Sequence, residues 1–250
     1  MSQTNCDSQS CAPGSGASGH ISVIVPVRNA MPYLVEALAS IEQQTLRPCE
    51  VIVVDGGSTD GSRQAAAAAP GVTLVQQSGR GLAHARNEGL AQAHGDLIAF
   101  LDADDFWAAQ WLETAASFLH AQPTCPAVIG RMVRFLHDGV DLPPGYAGDW
   151  LGSPAQGFTP GSMMARRIVF AQVGHFNDSL TVGCDSEWFM RAADAGVTIM
   201  ALPEVGLHKR IHAANLSAQV ETYRRELLAA TRRSLQRRGV IRPETEPTSC

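Results

Sequence analysis

Residues 97–107 read LIAFLDADDFW: five apolar residues, then Asp102, Ala103, Asp104 and Asp105, then an aromatic pair. The apolar run has the composition of a buried strand, and its ending decides how the rest of the chain is read. In an extended segment side chains alternate, so Asp102 and Asp104 point the same way, roughly 7 Å apart at about 3.4 Å per residue. At an effective dielectric of about 20 their repulsion is about 2.4 kcal/mol. A cation must compensate it. Mg²⁺ characteristically sits between one or two carboxylates and a substrate phosphate, so the pattern turns the search toward a phosphate-bearing ligand. Alternatively, Asp104 or Asp105 caps the helix expected in FWAAQWLETAASFLH.

Outward from this strand, short apolar runs alternate with helical patterns. Strands are expected at ISVIVPV (21–27), EVIVVD (50–55), VTLVQ (72–76) and LIAFLD (97–102), separated by helices in YLVEALASIEQQ, SRQAAAAA and LAHARNEGLAQAH. Each strand is apolar on both faces, as parallel strands covered by helices should be. The chain therefore reads as α/β, with ligands expected beyond the carboxyl ends of the strands, where Asp55, Asp102 and Asp104 stand.

The 250 residues are 45% hydrophobic, enough for a full core, and the net charge of −5 excludes a general attraction to nucleic acid or anionic membrane. Lys209 is the single lysine beside 18 arginines, a bias attributed to GC-rich coding DNA. The six cysteines form no C-x-x-C pair, which fits a reducing compartment. Residues 1–19 read as a disordered tail and as neither signal peptide nor anchor. The G-x-G-x-x-G at Gly14, Gly16 and Gly19 precedes a strand where a dinucleotide fingerprint would follow one, and is discarded. No run approaches 18 apolar residues, and the expected location is cytoplasmic.

After residue 123 a strand is expected in PAVIGRMVRF, a long Gly- and Pro-rich loop over 138–161, a short helix near RRIVFAQVG and a helix from Asp185 to Ala195. Strands near VTIMAL and GLHKRIH and a final helix in AQVETYRRELLAATRRSLQRR follow. The expected organisation is a tail over 1–19, a main domain over 20–218 with halves 20–122 and 123–218, a basic helix over 219–240 and a tail over 241–250. The tripeptide Asn215-Leu216-Ser217 matches a glycosylation acceptor but carries no weight without a secretion signal.

Four stretches in register, VPVRN (25–29), VVDGGSTDGS (53–62), GLAHARNEGLAQAHGDLIAFLDADD (81–105) and GHFNDSLTVGCDSEWFMRAADAG (174–196), resemble the family 2 glycosyltransferases of GT-A fold. The resemblance covers about residues 20–218. It implies a GT-A sandwich with a mostly parallel central sheet flanked by helices, followed by a C-terminal helix. It also implies an inverting transfer of sugar from a nucleoside-diphosphate donor, UDP-sugars first, to a hydroxyl-bearing acceptor that is a glycan, a lipid-linked molecule or a small molecule. The D-x-D element, Asp102, Ala103 and Asp104, would face the diphosphate with Asp104 as the direct ligand of Mn²⁺ or Mg²⁺. Pro26, Val27, Asn29, Asp55 and Ser58 would border the nucleotide. Ser58 also suits the N-cap of the following helix. Arg86 and Asn87 would point toward the diphosphate, where a guanidinium fork suits a phosphate pair.

By the same resemblance Asp185 is the catalytic base, with Glu187 as the spare candidate, since a positioned carboxylate can take the acceptor proton. His212 in HKRIHAANLS would complete the metal or diphosphate site, with His208 as its competitor. A haloacid-dehalogenase-like phosphatase also places D-x-D after an apolar strand, but its acids open the domain and a downstream acid pair completes the site, which is lacking here. A non-catalytic sugar-nucleotide-binding domain or partner subunit is the other alternative. Residues 221–242 carry seven arginines against Glu221 and Glu226, a local charge of 7 − 2 = +5. With Tyr223, Leu227, Leu228 and Leu235 this helix could make a weak peripheral contact with anionic lipid. The narrow stripe favours packing against the sheet domain.

Overall fold

The computed structural model describes residues 20–137, 139–142, 150–212, 215 and 219–242. The expected N-terminal tail, residues 243–250 and the middle of the 138–161 loop lie outside the described residues. So do Leu216 and Ser217 of the acceptor tripeptide.

The chain runs β1 (Ile21–Val27), α1 (Tyr33–Glu42), β2 (Glu50–Asp55), α2 (Ser62–Ala68), β3 (Val72–Gln76), α3 (Leu82–Gln92), β4 (Leu97–Phe100), β5 (Phe106–Trp107) and α4 (Trp111–Ala121). It continues through β6 (Ala127–Leu136), β7 (Ala155–Gln156), β8 (Met163–Arg166), α5 (Arg167–Val173), α6 (Cys184–Asp194), β9 (Ile199–Ile211) and α7 (Val220–Arg237). The architecture is the expected α/β sandwich. One sheet has the order β3-β2-β1-β4-β8-β6-β9-β5, with β7 on β6. The first four strands are parallel, and β8 enters antiparallel between β4 and β6.

Every residue of β1 is buried because helices cover both faces. Val23 and Val25 belong to a core with Leu34, Ala37 and Ile41 of α1 and Trp111, Leu112 and Leu119 of α4. Ile24 points the other way, into a core with Leu90 of α3, Phe170 of α5 and Trp188 of α6. This alternation of successive side chains between two cores is what a doubly covered strand requires. The order runs outward from β1 to β3 and then returns to place β4 on the other side of β1. The crossovers diverge there and open a crevice beyond the strand ends. The turns after β1, β2 and β4 all open on that side.

Several local expectations are corrected. VTIMAL and GLHKRIH form one strand, β9, paired to β6 from Ala127↔Ile199 to Leu136↔Ile211 with register shifts around Arg131. Pro203 made the sequence look broken, and the irregularity lets the ladder pass it. The unexpected β8, MMAR, is short and internal, so its pattern carries little period. Ser58 caps nothing: α2 begins at Ser62 after Gly61, whose φ of 96° suits glycine. The expected packing of the Tyr223, Leu227, Leu228 and Leu235 stripe against the sheet domain fails at Leu228. Leu228 is 72% exposed, while α7 turns buried Glu226, Ala230 and Ser234 inward.

Close packing of α3 on β1 and β2 depends on Gly89. A Cβ there would lie 2.3 Å from Ile24 Cγ2 and 3.3 Å from Val54 Cγ2, both on stiff, buried, β-branched side chains. Gly89→Ala gains about 1 kcal/mol of helix propensity, but overpacking costs about 1–3 kcal/mol. The expected result is a net loss of stability in urea unfolding, and an increase would refute the close-packing account.

Candidate active site

The chain leaves β4 at Phe100 and turns at once. Asp105 N–H donates to Asp102 carbonyl oxygen at 3.1 Å, so the acids occupy a tight turn and not the extended run expected from sequence. One ligand oxygen from each of Asp102, Asp104 and Asp105 can be chosen with all three within 4.8 Å of one another. Neither Asp104 nor Asp105 caps a helix, because β5 intervenes and α4 starts at Trp111. The turn is pinned to β9: Asp105 Oδ1 accepts the Arg210 N–H at 2.8 Å, and Asp105 Oδ2 accepts from Lys209 Nζ at 3.1 Å.

The compensation demanded by the carboxylates is supplied by the chain itself. Lys209 Nζ also lies 3.9 Å from Asp102 Oδ2, and the His212 ring nitrogen Nε2 lies 3.0 Å from Asp104 Oδ2. Asn215 Nδ2 donates to the same oxygen at 3.1 Å. Arg210, sandwiched between Tyr33 and Phe135 at 4.9 and 4.7 Å, donates through Nε to the Asp104 carbonyl. Burial pushes the Asp105 carboxyl up to about 7, with the Asp104 and Asp102 charges adding to the rise and Lys209 opposing it. Burial works against the Lys209 ammonium too, but Asp105, Asp102 and Asp104 together hold it charged above its ordinary range. Asp104 is lowered: burial opposes its charge, and the His212 hydrogen bond and the Lys209 charge outweigh burial.

Arg86 is the second anchor. Its side chain has no exposed surface; Nη2 donates to Asp102 Oδ1 at 2.7 Å and Nη1 pairs closely with Asp185 Oδ1. Burial disfavours the guanidinium, yet Asp185 and Asp102 hold it charged beyond its already high ordinary value. The expectation that Arg86 points at a diphosphate is therefore corrected: both its amino groups are engaged by acids. Asn87 likewise turns away, its carboxamide exchanging two hydrogen bonds with the Phe176 backbone at 2.8 and 2.9 Å.

Asp185 sits in the first turn of α6, where the helix dipole favours an acid. Its hydrogen bonds from Arg86 and from the Cys184 thiol both fall on Oδ1, leaving Oδ2 without one among the described residues. Glu187, the spare candidate, is 3% exposed and accepts both oxygens' bonds from Arg191 Nε. His208 stacks on Phe106 at 4.7 Å, so His212 and not His208 reaches the acids.

At the other end of the crevice, Pro26 and Val27 are buried at the end of β1, and Val27 carbonyl accepts the Gly56 N–H at 2.8 Å. Asn29 adopts a left-handed φ of 52°; its N–H donates to Ser58 Oγ and its Oδ1 accepts the Thr59 N–H. Asp55 is fully buried, with Oδ1 accepting the Ser58 N–H at 3.0 Å and Oδ2 lacking a partner among the described residues. A buried acceptor without a donor is costly. Ala103 is 6% exposed and packs beneath the acid turn.

Sequence reasoning missed Lys209, Arg210 and Asn215. The one available signal was Lys209 itself, the only lysine in an arginine-rich chain. Lysine's compact ammonium, unlike the planar guanidinium fork, fits between Asp105 and Asp102.

A topological switch point bordered by acids and a guanidinium is where open α/β sheets take their ligands, and it marks the candidate site of an α/β protein. The model of the family described as Glycosyl transferase family 2 matches residues 22–174, more than half of the chain. The chain belongs to glycosyltransferase family 2. It is 31% identical over 211 residues to the glycosyltransferase AglE of Haloferax volcanii, covering 75% of this chain and 66% of that one. Against the uncharacterized glycosyltransferase YwdF of Bacillus subtilis it is 29% identical, covering 69% and 68%. The chain spans 66% of the length of AglE, 68% of YwdF and 14% of GlyA of Streptococcus pneumoniae. The fold matches S. aureus TarS 1–349 in complex with UDP-GlcNAc at a TM-score of 0.70 and 20% identity, covering 91% of this chain and 68% of that one. It also matches the mannosyltransferase PcManGT from Pyrobaculum calidifontis, in complex with GDP-Man and Mn²⁺, at 0.65 and 26%, covering 92% and 66%.

Lys209→Met strips the acid turn of its ammonium. The expected loss is about 3 kcal/mol, the low end for breaking a buried pair because the Lys209 side chain keeps 21% exposure. Millimolar MnCl₂ should then raise the melting temperature of the variant more than that of wild type. Equal shifts would separate the cluster from cation binding.

Proposed function

We propose that the chain transfers a sugar from a nucleoside-diphosphate donor, a UDP-sugar first, to a hydroxyl-bearing acceptor by single displacement with inversion. The observation that carries this reading is the bridge made by Arg86, which ties the acid turn to Asp185 across the crevice. The acceptor oxygen attacks the anomeric carbon while its proton passes to the Asp185 carboxylate through Oδ2. The bond from that carbon to the diphosphate oxygen breaks, and the nucleoside diphosphate leaves. Asp55 Oδ2 accepts an N–H of the base, while Pro26, Val27, Asn29 and Ser58 shape the turns that hold the nucleotide.

Asp104, with His212 beside it and Asp102 alongside, is the set for Mn²⁺ or Mg²⁺. Hard carboxylate oxygens with one imidazole suit such an ion. Bound there, the ion would supply Lewis-acid stabilisation of the departing diphosphate. The donors and ion present in the TarS and PcManGT complexes support this choice of ligand class. The acceptor is a glycan, a lipid-linked molecule or a small molecule. Residues 20–218 carry the residues of the transfer site in this reading.

Hydrolysis of a panel of UDP-, GDP- and dTDP-sugars with Mn²⁺ or Mg²⁺ tests the proposal. Wild type should release nucleoside diphosphate from one of them, and binding without turnover would instead mark a non-catalytic sugar-nucleotide-binding domain. Asp104→Ala should lose metal-enhanced UDP binding in calorimetric titration. Asp185→Asn should keep donor binding and slow turnover at least about 100-fold, the scale of a general base. Turnover near the wild-type rate would remove Asp185 from that role.

No described helix is long and apolar enough to cross a membrane. The outward face of α7, with exposed Arg224, Arg225, Leu228 and Arg232, supports a weak peripheral contact with anionic lipid. Co-sedimentation with anionic vesicles should occur at low salt and vanish at high salt. Absence of binding at low salt would leave α7 as a packing element alone.

A further inference from the structure

The family match ends at residue 174, before α6 and α7 begin. Yet Asp185 lies on α6, so its placement depends on contacts that the family model does not cover. Glu226, midway along α7, is 8% exposed and bonded three times over. Its Oε1 accepts the Thr181 N–H at 2.8 Å, and its Oε2 accepts the Val182 and Gly183 N–H groups at 3.0 and 2.7 Å. These three residues form the turn that leads directly into α6. Burial would raise the Glu226 carboxyl, but the three donors outweigh it and hold it below the usual range. The charged form is therefore the one that grips the turn.

The grip extends along α6. Tyr223 Oη and Ser186 Oγ lie 3.0 Å apart, one residue beyond Asp185. At the far end Ser234 Oγ and Arg237 Nε each donate to the Asp194 carboxylate at 2.8 Å. Gly183 lies tight against the clasp, since a Cβ there would stand 3.1 Å from Glu226 Cβ and 3.2 Å from Oε2. A carboxylate filling all three N–H groups of a pre-helical turn fixes where the helix starts, and with it the direction of the first-turn side chains.

We propose that Glu226 is a positioning residue for sugar transfer: by clasping the 181–183 turn it sets Asp185 against Arg86 and the acceptor oxygen. The C-terminal helix is then part of the catalytic unit. The inference rests on the reading of Asp185 as the base. Because small displacements of a reacting group cost rate steeply, loss of the clasp should act on turnover and not on donor affinity.

The test uses the full chain, the donor that wild type hydrolyses fastest, and the variants Glu226→Gln, Asp185→Asn and the double variant. Glu226→Gln should lower kcat at least about tenfold with the donor KM changed by less than about threefold. In the double variant the loss should be no greater than with Asp185→Asn alone, because a residue acting through Asp185 has nothing left to position. Additive losses, or a lowered melting temperature with unchanged kcat, would overturn the proposal and leave Glu226 a stability residue. Wild-type turnover in Asp185→Asn would instead overturn the base reading, and this inference with it. Hydrogen exchange needs no donor: the Thr181, Val182 and Gly183 amides should exchange at least about tenfold faster in Glu226→Gln. Unchanged exchange would show that the carboxylate does not hold the turn.

Discussion

A guanidinium with no exposed surface stays charged only where carboxylates replace its water, and Arg86 has two of them. Asp102 comes from the turn after β4 and Asp185 from the first turn of α6, so one buried cation joins the two sides of the crevice. Arg86 also lies 5.4 Å from the centre of the Phe176 ring, whose backbone is held by Asn87. The α3 helix, seated on β1 through Gly89, thus serves as the platform from which both acids are aimed. Removing either carboxylate would leave buried charge unbalanced, which makes the arrangement strongly cooperative.

The acid turn obeys the same constraint. Three carboxylates within ligand distance repel unless cations or hydrogen-bond donors meet them. Here Arg86 takes Asp102, Lys209 takes Asp105, and His212 with Asn215 takes Asp104. Asp105 is the structural member, buried and tied to the β9 backbone, whereas Asp102 and Asp104 remain partly open to the crevice. Arg210, clad by Tyr33 and Phe135, holds the turn from beneath through the Asp104 carbonyl.

The second half of the fold closes this arrangement through α7. Arg224, Arg225 and Arg232 face outward while Tyr223, Glu226, Ser234 and Arg237 reach α6, so the basic composition of the helix says little about the face that matters. The bond that ties it down uses one of only two acids in residues 221–242, and a count of charge gives that residue no prominence.

The sequence by itself determined the order in which the strands appear, the parallel half of the sheet and the strand ends at which the acids stand. Those follow from local signals: β-branched runs of strand length, helices between them, and acids at strand ends. ISVIVPV, EVIVVD and VTLVQ coincide with β1, β2 and β3 to the residue. Tertiary structure alone decided the partners. Nothing in the spacing of Arg86, Asp102 and Asp185 shows that the arginine turns inward to both acids, because they lie 16 and 99 residues away. Nor could a local reading find Lys209 beside Asp105, the bulge that carries β9 past Pro203, or Glu226 at the head of α6. Periodicity reports which face of an element is buried, but the pairing of charges is set by which elements meet, and that is a property of the whole fold.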